Sequence, residues 1–156
     1  MISMEFRESV IKPTLEKMGL WSESAESLIL GTAIQESRLK YRKQIGGGPA
    51  LGLFQMEPFT HDSIRKDYLD YRSELKEKVD QFTDNPVAEE LENNDEYACA
   101  MCRIHYLRVK ESLPAAHDIL GAANYWKSHY NTPKGAGTVS EFVENYERAN
   151  HGLDGD

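Results

Sequence analysis

Apolar residues in this chain recur at helical spacing almost from end to end, and they never alternate with polar ones over four or more positions. Such a chain buries its side chains by packing helices and has little material for a sheet with one wet face. Phe6, Val10, Ile11, Leu15 and Met18 make the first stripe. Pro13 is expected to kink or restart that helix, because proline lacks an N–H and crowds the carbonyl four residues back. Ser22 is placed to cap a second helix, in which Ala25, Leu28, Ile29, Thr32, Ala33 and Glu36 share a face. The tract Gly46-Gly47-Gly48-Pro49 stops any helix, and Pro58 suits the first turn of the next one, through Ile64 and Tyr68. Asn94 or Asp95 is expected to open a long helix through Tyr97, Met101, Ile104 and Leu107, closed before Pro114. A further helix is expected over roughly 116–130, and Thr138 with Glu141 forms a capping box for a last one through Phe142 and Tyr146. The fold class is mostly α.

With 156 residues and no long linker or repeat, the reading is one domain spanning 1–156. The net charge of −8 is uneven: residues 1–83 carry 12 basic and 13 acidic side chains, residues 84–156 carry 6 and 13. That balance argues against a nucleic-acid partner, which needs a basic face to neutralise phosphates. No apolar run approaches the roughly 18 residues of a membrane span, so membrane insertion is not expected. The start of the chain lacks a basic region followed by an apolar stretch, so no signal peptide is expected either. The stretch 69–96 is charged, with an acidic run from Asp84 to Glu96, and reads as a solvated and mobile helical excursion. Cys99 and Cys102 supply half the ligands of a structural zinc site and read as buried thiols. The histidines at 61, 105, 117, 129 and 151 show no ligand spacing, so neither metal nor cofactor is expected.

Glu36 is the residue that stands out. It continues an apolar helical face, where a carboxylate would be partly desolvated and its pKa raised, making it a candidate general acid. The cations of Arg38, Lys40, Arg42 and Lys43 follow it, and they favour ionisation unless they point outward.

The motifs around Glu36 carry a resemblance. Gln35-Glu36-Ser37-Arg38, followed by Gly52-Leu53-Phe54-Gln55-Met56-Glu57-Pro58-Phe59-Thr60, resembles the soluble lytic transglycosylases of the lysozyme-like superfamily, in a phage-encoded form. The family pairs Glu-Ser with a downstream Gly-Leu-Met-Gln-x-x-Pro-x-Thr. Its third motif, Tyr-Asn followed by glycines, is matched by Tyr130-Asn131 with Gly135-Ala136-Gly137; Phe142 to Tyr146 resembles the closing segment more weakly. The match departs from the pattern at His129 and at the intervening Thr132-Pro133-Lys134.

The resemblance implies a lysozyme-like helical fold with an active-site cleft. It also implies cleavage of the β-1,4 bond between N-acetylmuramic acid and N-acetylglucosamine in peptidoglycan, with a 1,6-anhydro product. Glu36 would be the catalytic acid and then base. Ser37 would bond near the acid or the substrate, or else be a helix-surface serine. Gln55 would bind the acetamido group or orient Glu36, and Gly52 would let backbone approach the sugar. Tyr130 and Asn131 would line the cleft, with Tyr130 bonding Glu36; Tyr146 is equally read as cleft or core. Tyr125 and Trp126 read as core or as sugar-stacking residues, and Trp21 as packing. The basic cluster would flank the cleft, near passing stem-peptide carboxylates. No Asp or Glu lies between Ser37 and Phe54, which suits a one-acid reaction; Glu57 and Asp62 remain candidates for a second carboxylate and thus for a hydrolysing muramidase. A third reading, from another class, is an inactive virion structural or wall-docking protein. The partners implied are peptidoglycan glycan strands and phage virion proteins, reached from the virion or from the host cytoplasm.

Overall fold

The computed structural model describes residues 2–131 and 135–150. Among these the protein is mostly helical and has no strand, only isolated bridges of Leu51 with Lys43 and with Met56. No helix is long and apolar enough to cross a membrane. The N-terminal helical rod is α1 (Ser3–Phe6), a π-helical stretch (Arg7–Ile11) and α2 (Lys12–Lys17). The π stretch ends at Ile11, with only Lys12 between it and Pro13 in the first turn of α2. A proline cannot donate to the carbonyl four residues back, and the wider winding absorbs that lost bond without breaking the rod.

Helix α3 (Glu23–Ser37) is the centre of the molecule. Ser22 caps it by accepting from the Ala25 N–H at 3.0 Å. The sequence suggests one apolar face, but every residue from Leu28 to Ile34 is buried. The reason is that α7 (Asp95–Leu107), α8 (Ile119–Trp126) and α9 (Val139–Asn150) all pack against it. A helix enclosed on all sides needs no polar stripe. Its buried Thr32 hydroxyl is satisfied by the Leu28 carbonyl and the Tyr106 hydroxyl, each at 2.8 Å.

The expected caps are present. Asn94 accepts from Tyr97 N–H at 3.0 Å to open α7. Thr138 and Glu141 bond reciprocally at 2.9 and 3.1 Å ahead of α9. The helix expected over 116–130 begins later, at Ile119 behind an Asp118 cap, and ends in a π turn, Lys127–Asn131.

The charged stretch 69–96 departs from expectation. It forms a 3-10 turn (Leu69–Tyr71), α5 (Ser73–Asp80) and α6 (Glu90–Asn93), following α4 (Pro58–Asp67). Leu69, Val79 and Leu91 are each at most 1% exposed, so the stretch is docked on the core and is not a solvated excursion. Ion pairs stitch it down: Arg65 grips both oxygens of Asp80 at 2.9 Å, and Arg42 grips Asp95 at 2.6 and 3.0 Å. Trp21 also departs from its expected packing role. It is 42% exposed, donates to Glu26 at 2.9 Å and lies under the Lys12 ammonium.

Candidate active site

Glu36 occupies the last turn of α3, where the helix leaves the core. Immediately after it the chain reverses through two left-handed residues, Arg38 (φ 54°) and Leu39 (φ 58°). This reversal returns Leu39 to the core and directs residues 40–57 back across the helix end. Ser37 locks the crossing. Its hydroxyl is 1% exposed, donates toward the Leu53 carbonyl (2.6 Å) or Ala33 (3.1 Å), and accepts from Leu39 N–H at 3.2 Å. The returning loop is pinned by Gly52, whose N–H donates to the Arg42 carbonyl at 2.6 Å. Gly52 has φ +79°, and a Cβ there would lie 2.0 Å from the Leu91 carbonyl oxygen. No other residue fits both the backbone angle and the space.

The result is a cavity of about 670 Å³. Glu36 lies on its wall with Gln35, Trp126, Tyr130 and Asn131, while Gly135, Ala136 and Gly137 form one side. The returning loop supplies Tyr41, Gln44, Ile45, Ala50, Gln55 and Met56; Glu57 and Thr60 come from the head of α4, and His105 and His129 from α7 and the π turn.

Of the residues that the sequence singles out, Glu36, Gln55, Tyr130 and Asn131 come together here. Ser37, Gly52 and Tyr146 do not. Ser37 and Gly52 act on the loop that carries Gln55. Tyr146 is 7% exposed, stacks on Phe142 and accepts from Arg7 at 3.2 Å, which places it in the core between α9 and the N-terminal rod. The cluster Arg38, Lys40, Arg42 and Lys43 contributes nothing to the lining, and Arg42 is spent on Asp95. Residues 69–96 do not cover the cavity. Thr132-Pro133-Lys134 and His151 lie outside the described residues.

The partner of Glu36 differs from the expected tyrosine. Trp126 Nε1 donates to Glu36 Oε2 at 2.9 Å, while the Tyr130 hydroxyl donates to the Phe54 carbonyl at 2.6 Å. Tyr130 is stacked on Tyr106 with centroids 5.4 Å apart and meets the His105 ring edge-on at 4.8 Å. It is therefore a fixed wall whose hydroxyl is already committed. Trp126 is fully buried, so its ring belongs to the core while its N–H reaches the cavity. No sequence spacing signals this pairing, because the two residues lie 90 positions apart.

Burial raises the Glu36 carboxyl to about 7, and the indole N–H, which favours the ionised form, offsets part of that rise. A carboxyl at that value is half protonated at neutral pH and can both give and take a proton. His105 is pushed the other way, down to about 4, chiefly by burial and then by the Arg108 cation. Arg108 lies 2.7 Å from His105 Nδ1, which keeps that ring neutral across the range where Glu36 titrates. Glu57 is exposed and is the second carboxylate of the lining; Asp62 is absent from it and sits 2.8 Å from the buried His61. Gln55 has a left-handed backbone (φ 48°), and its side-chain amide donates to the Gly52 carbonyl at 3.0 Å.

Cys99 and Cys102 are buried thiols with raised pKa, chiefly from burial, so they stay protonated and unreactive. Among the described residues no cluster of His, Cys, Asp or Glu could hold a metal. No protein-family model, curated protein or solved structure matches the chain.

Proposed function

We propose that this cavity is the active site of a peptidoglycan lytic transglycosylase on a lysozyme-like fold, with Glu36 as the acid and then the base. The observation that carries the reading is the Glu36 carboxyl itself: desolvated, raised to about 7, and open to a cavity of about 670 Å³. Protonated Glu36 would give its proton to the glycosidic oxygen between N-acetylmuramic acid and N-acetylglucosamine. The resulting carboxylate would then take the proton of the muramyl C6 hydroxyl as that oxygen closes on C1, which gives the 1,6-anhydro end and returns the acid. No second carboxylate takes part, because the sugar supplies its own nucleophile.

The rest of the lining supports a neutral, hydroxylated and acetamido-bearing substrate. Gln35, Gln44, Gln55 and Asn131 offer amides, and Tyr41 and Tyr130 offer aromatic surface. Among the described residues no Lys or Arg lines the cavity.

One observation favours a second reading, a muramidase. Glu57 lines the same cavity, and a hydrolysing glycosidase places two carboxyl groups roughly 5–5.5 Å or 6.5–9.5 Å apart, according to stereochemistry. Digestion of purified sacculi followed by mass spectrometry separates the two. Anhydromuramic ends, abolished by Glu36→Gln and retained in Glu57→Gln, are the expected result. Reducing ends that vanish with Glu57→Gln would establish the hydrolase. Binding to sacculi with no product at all would leave the wall-docking reading.

A further inference from the structure

Lys127 opens the π turn after α8, and its ammonium is enclosed by three oxygens. Nζ donates to Asn131 Oδ1 at 2.8 Å, to the Gly135 carbonyl at 2.9 Å and to the Gly137 carbonyl at 2.5 Å. An ammonium has three donors and no acceptor, so this set uses it completely. All three partners are neutral. A lysine that gives up its rotamer freedom for two carbonyls and an amide is not serving as a solubilising surface charge.

The three oxygens share a location. Asn131, Gly135 and Gly137 line the cavity beside Gln35, Glu36 and Trp126. A Cβ at Gly137 would lie 2.6 Å from Trp126 Cη2 and 3.1 Å from Gln35 Nε2, so the backbone there rests directly on the rim of the indole. Phe142 packs on the same indole with ring centroids 5.4 Å apart. The indole N–H held in this way is the one that donates to Glu36.

We infer that Lys127 is a positioning residue for the acid: its ammonium gathers Asn131, Gly135 and Gly137 into one wall, which holds the Trp126 indole against Glu36 and closes that flank of the carboxyl to water. The inference needs only the Glu36–Trp126 geometry, and it deepens the transglycosylase reading by naming what shields one flank of the acid. Lys127 touches no reacting atom in this account. It acts through Trp126 and the glycine segment.

The direction of its effect separates this role from a plain charge effect. Deleting a nearby cation by itself makes a carboxylate harder to form and raises the Glu36 pKa. Loosening the wall weakens the indole bond, which raises the pKa, but it also admits water and relieves the desolvation, the larger of the two causes, so the net change lowers the pKa. The other titratable groups around the carboxyl are Glu57 from the head of α4, His105 on α7, Tyr41 on the returning loop, and His129 and Tyr130 on the π turn; Cys102 and Tyr106 of α7 lie behind it. Each is unchanged by a substitution at position 127.

The test is a titration of the Trp126 indole N–H by NMR in the intact protein. The chain has two tryptophans, so Trp21→Phe assigns the resonance and Glu36→Gln identifies the titrating group. The wild-type midpoint is expected at about 7. Lys127→Met, which keeps the aliphatic stem, is expected to lower it by about one unit and to speed indole exchange with solvent. Lys127→Arg keeps the charge, but its planar fork cannot converge on three oxygens, so it too is expected to lower the midpoint. An unchanged or raised midpoint in Lys127→Met overturns the inference. Should that variant fail to fold, an unchanged midpoint in Lys127→Arg does the same. A protein that cleaves no sacculi yet shows the lowered midpoint would sink the transglycosylase reading and leave the role of Lys127 standing.

Discussion

Glu36→Gln tests the central electrostatic claim without any assay of turnover. The carboxyl has a folded-state pKa of about 7 against an ordinary value of 4.5, so the native state binds its proton more tightly than the unfolded chain does. Ionising it in place therefore costs stability. As pH rises above the unfolded value the native state loses ground, and the loss is complete once pH passes the folded value. The difference of roughly 2.5 units, at 1.36 kcal/mol each, corresponds to about 3 kcal/mol at pH 8 and almost nothing at pH 4. Glutamine keeps an oxygen to accept from the Trp126 N–H and carries no charge at any pH. Urea unfolding of the two proteins across this range should give curves that coincide at pH 4 and diverge above pH 5. At pH 8 the variant should be more stable by about 3 kcal/mol, equivalent to roughly 6–12 °C in melting temperature for a chain of this size. An acid poised for catalysis and held at the expense of stability behaves in this way. A constant stability difference between the two proteins at all pH values would show that Glu36 is solvated in the native state, and the proposed chemistry would lose its basis.

Two further perturbations separate the forces acting at the site. Trp126→Phe removes the one hydrogen bond that favours ionised Glu36 while keeping most of the aromatic bulk; the carboxyl midpoint, read by carbon NMR of labelled glutamate, should rise by about one unit further. A fall would show that the indole acts mainly by excluding water. Gly52→Ala must place a Cβ into the Leu91 carbonyl from a left-handed backbone, so denaturant melts should show a loss of at least about 2 kcal/mol; a loss under about half a kcal/mol would mean that the loop relaxes freely.

What the sequence could reveal follows from which interactions are local. The caps at Ser22, Asn94 and Thr138 were readable because the donor and acceptor lie three residues apart. The position of Glu36 was readable for a related reason, since a carboxyl one turn beyond a buried helical run must sit at the edge of the core. The Trp126 contact was not readable, nor was the commitment of the Tyr130 hydroxyl to the Phe54 carbonyl, 76 positions away. Both depend on where α8 meets α3. The docking of 69–96 is not legible in the sequence because it rests on isolated apolar side chains, Leu69, Val79 and Leu91, that are set among charges and join the common core. Ser37 follows the acid in sequence, but the left-handed reversal at Arg38 and Leu39 brings the Leu53 carbonyl back to its buried hydroxyl, a contact that no local spacing signals.

That reversal links the strain in the backbone to the chemistry of the site. Three residues other than glycine adopt positive φ among the described residues, and all three bound the loop that crosses the end of α3: Arg38 and Leu39 at its start, Gln55 at its end. A helix more often ends on glycine in this conformation, because a side chain there costs about 1–2 kcal/mol. Arginine and leucine are tolerated because other contacts hold the turn in place. Leu39 is 7% exposed in the core, the Ser37 hydroxyl bonds both its amide and the Leu53 carbonyl, and Arg42 anchors the outgoing chain on Asp95. Strain of this kind persists only where the surroundings over-determine it, and it concentrates where side chains must be aimed. Here the aimed side chains are Glu36, two residues before the first strained position, and Gln55, the last strained residue itself. The loop between them is therefore a fixed arm, and the distance between the acid and the Gln55 amide is set before any ligand enters.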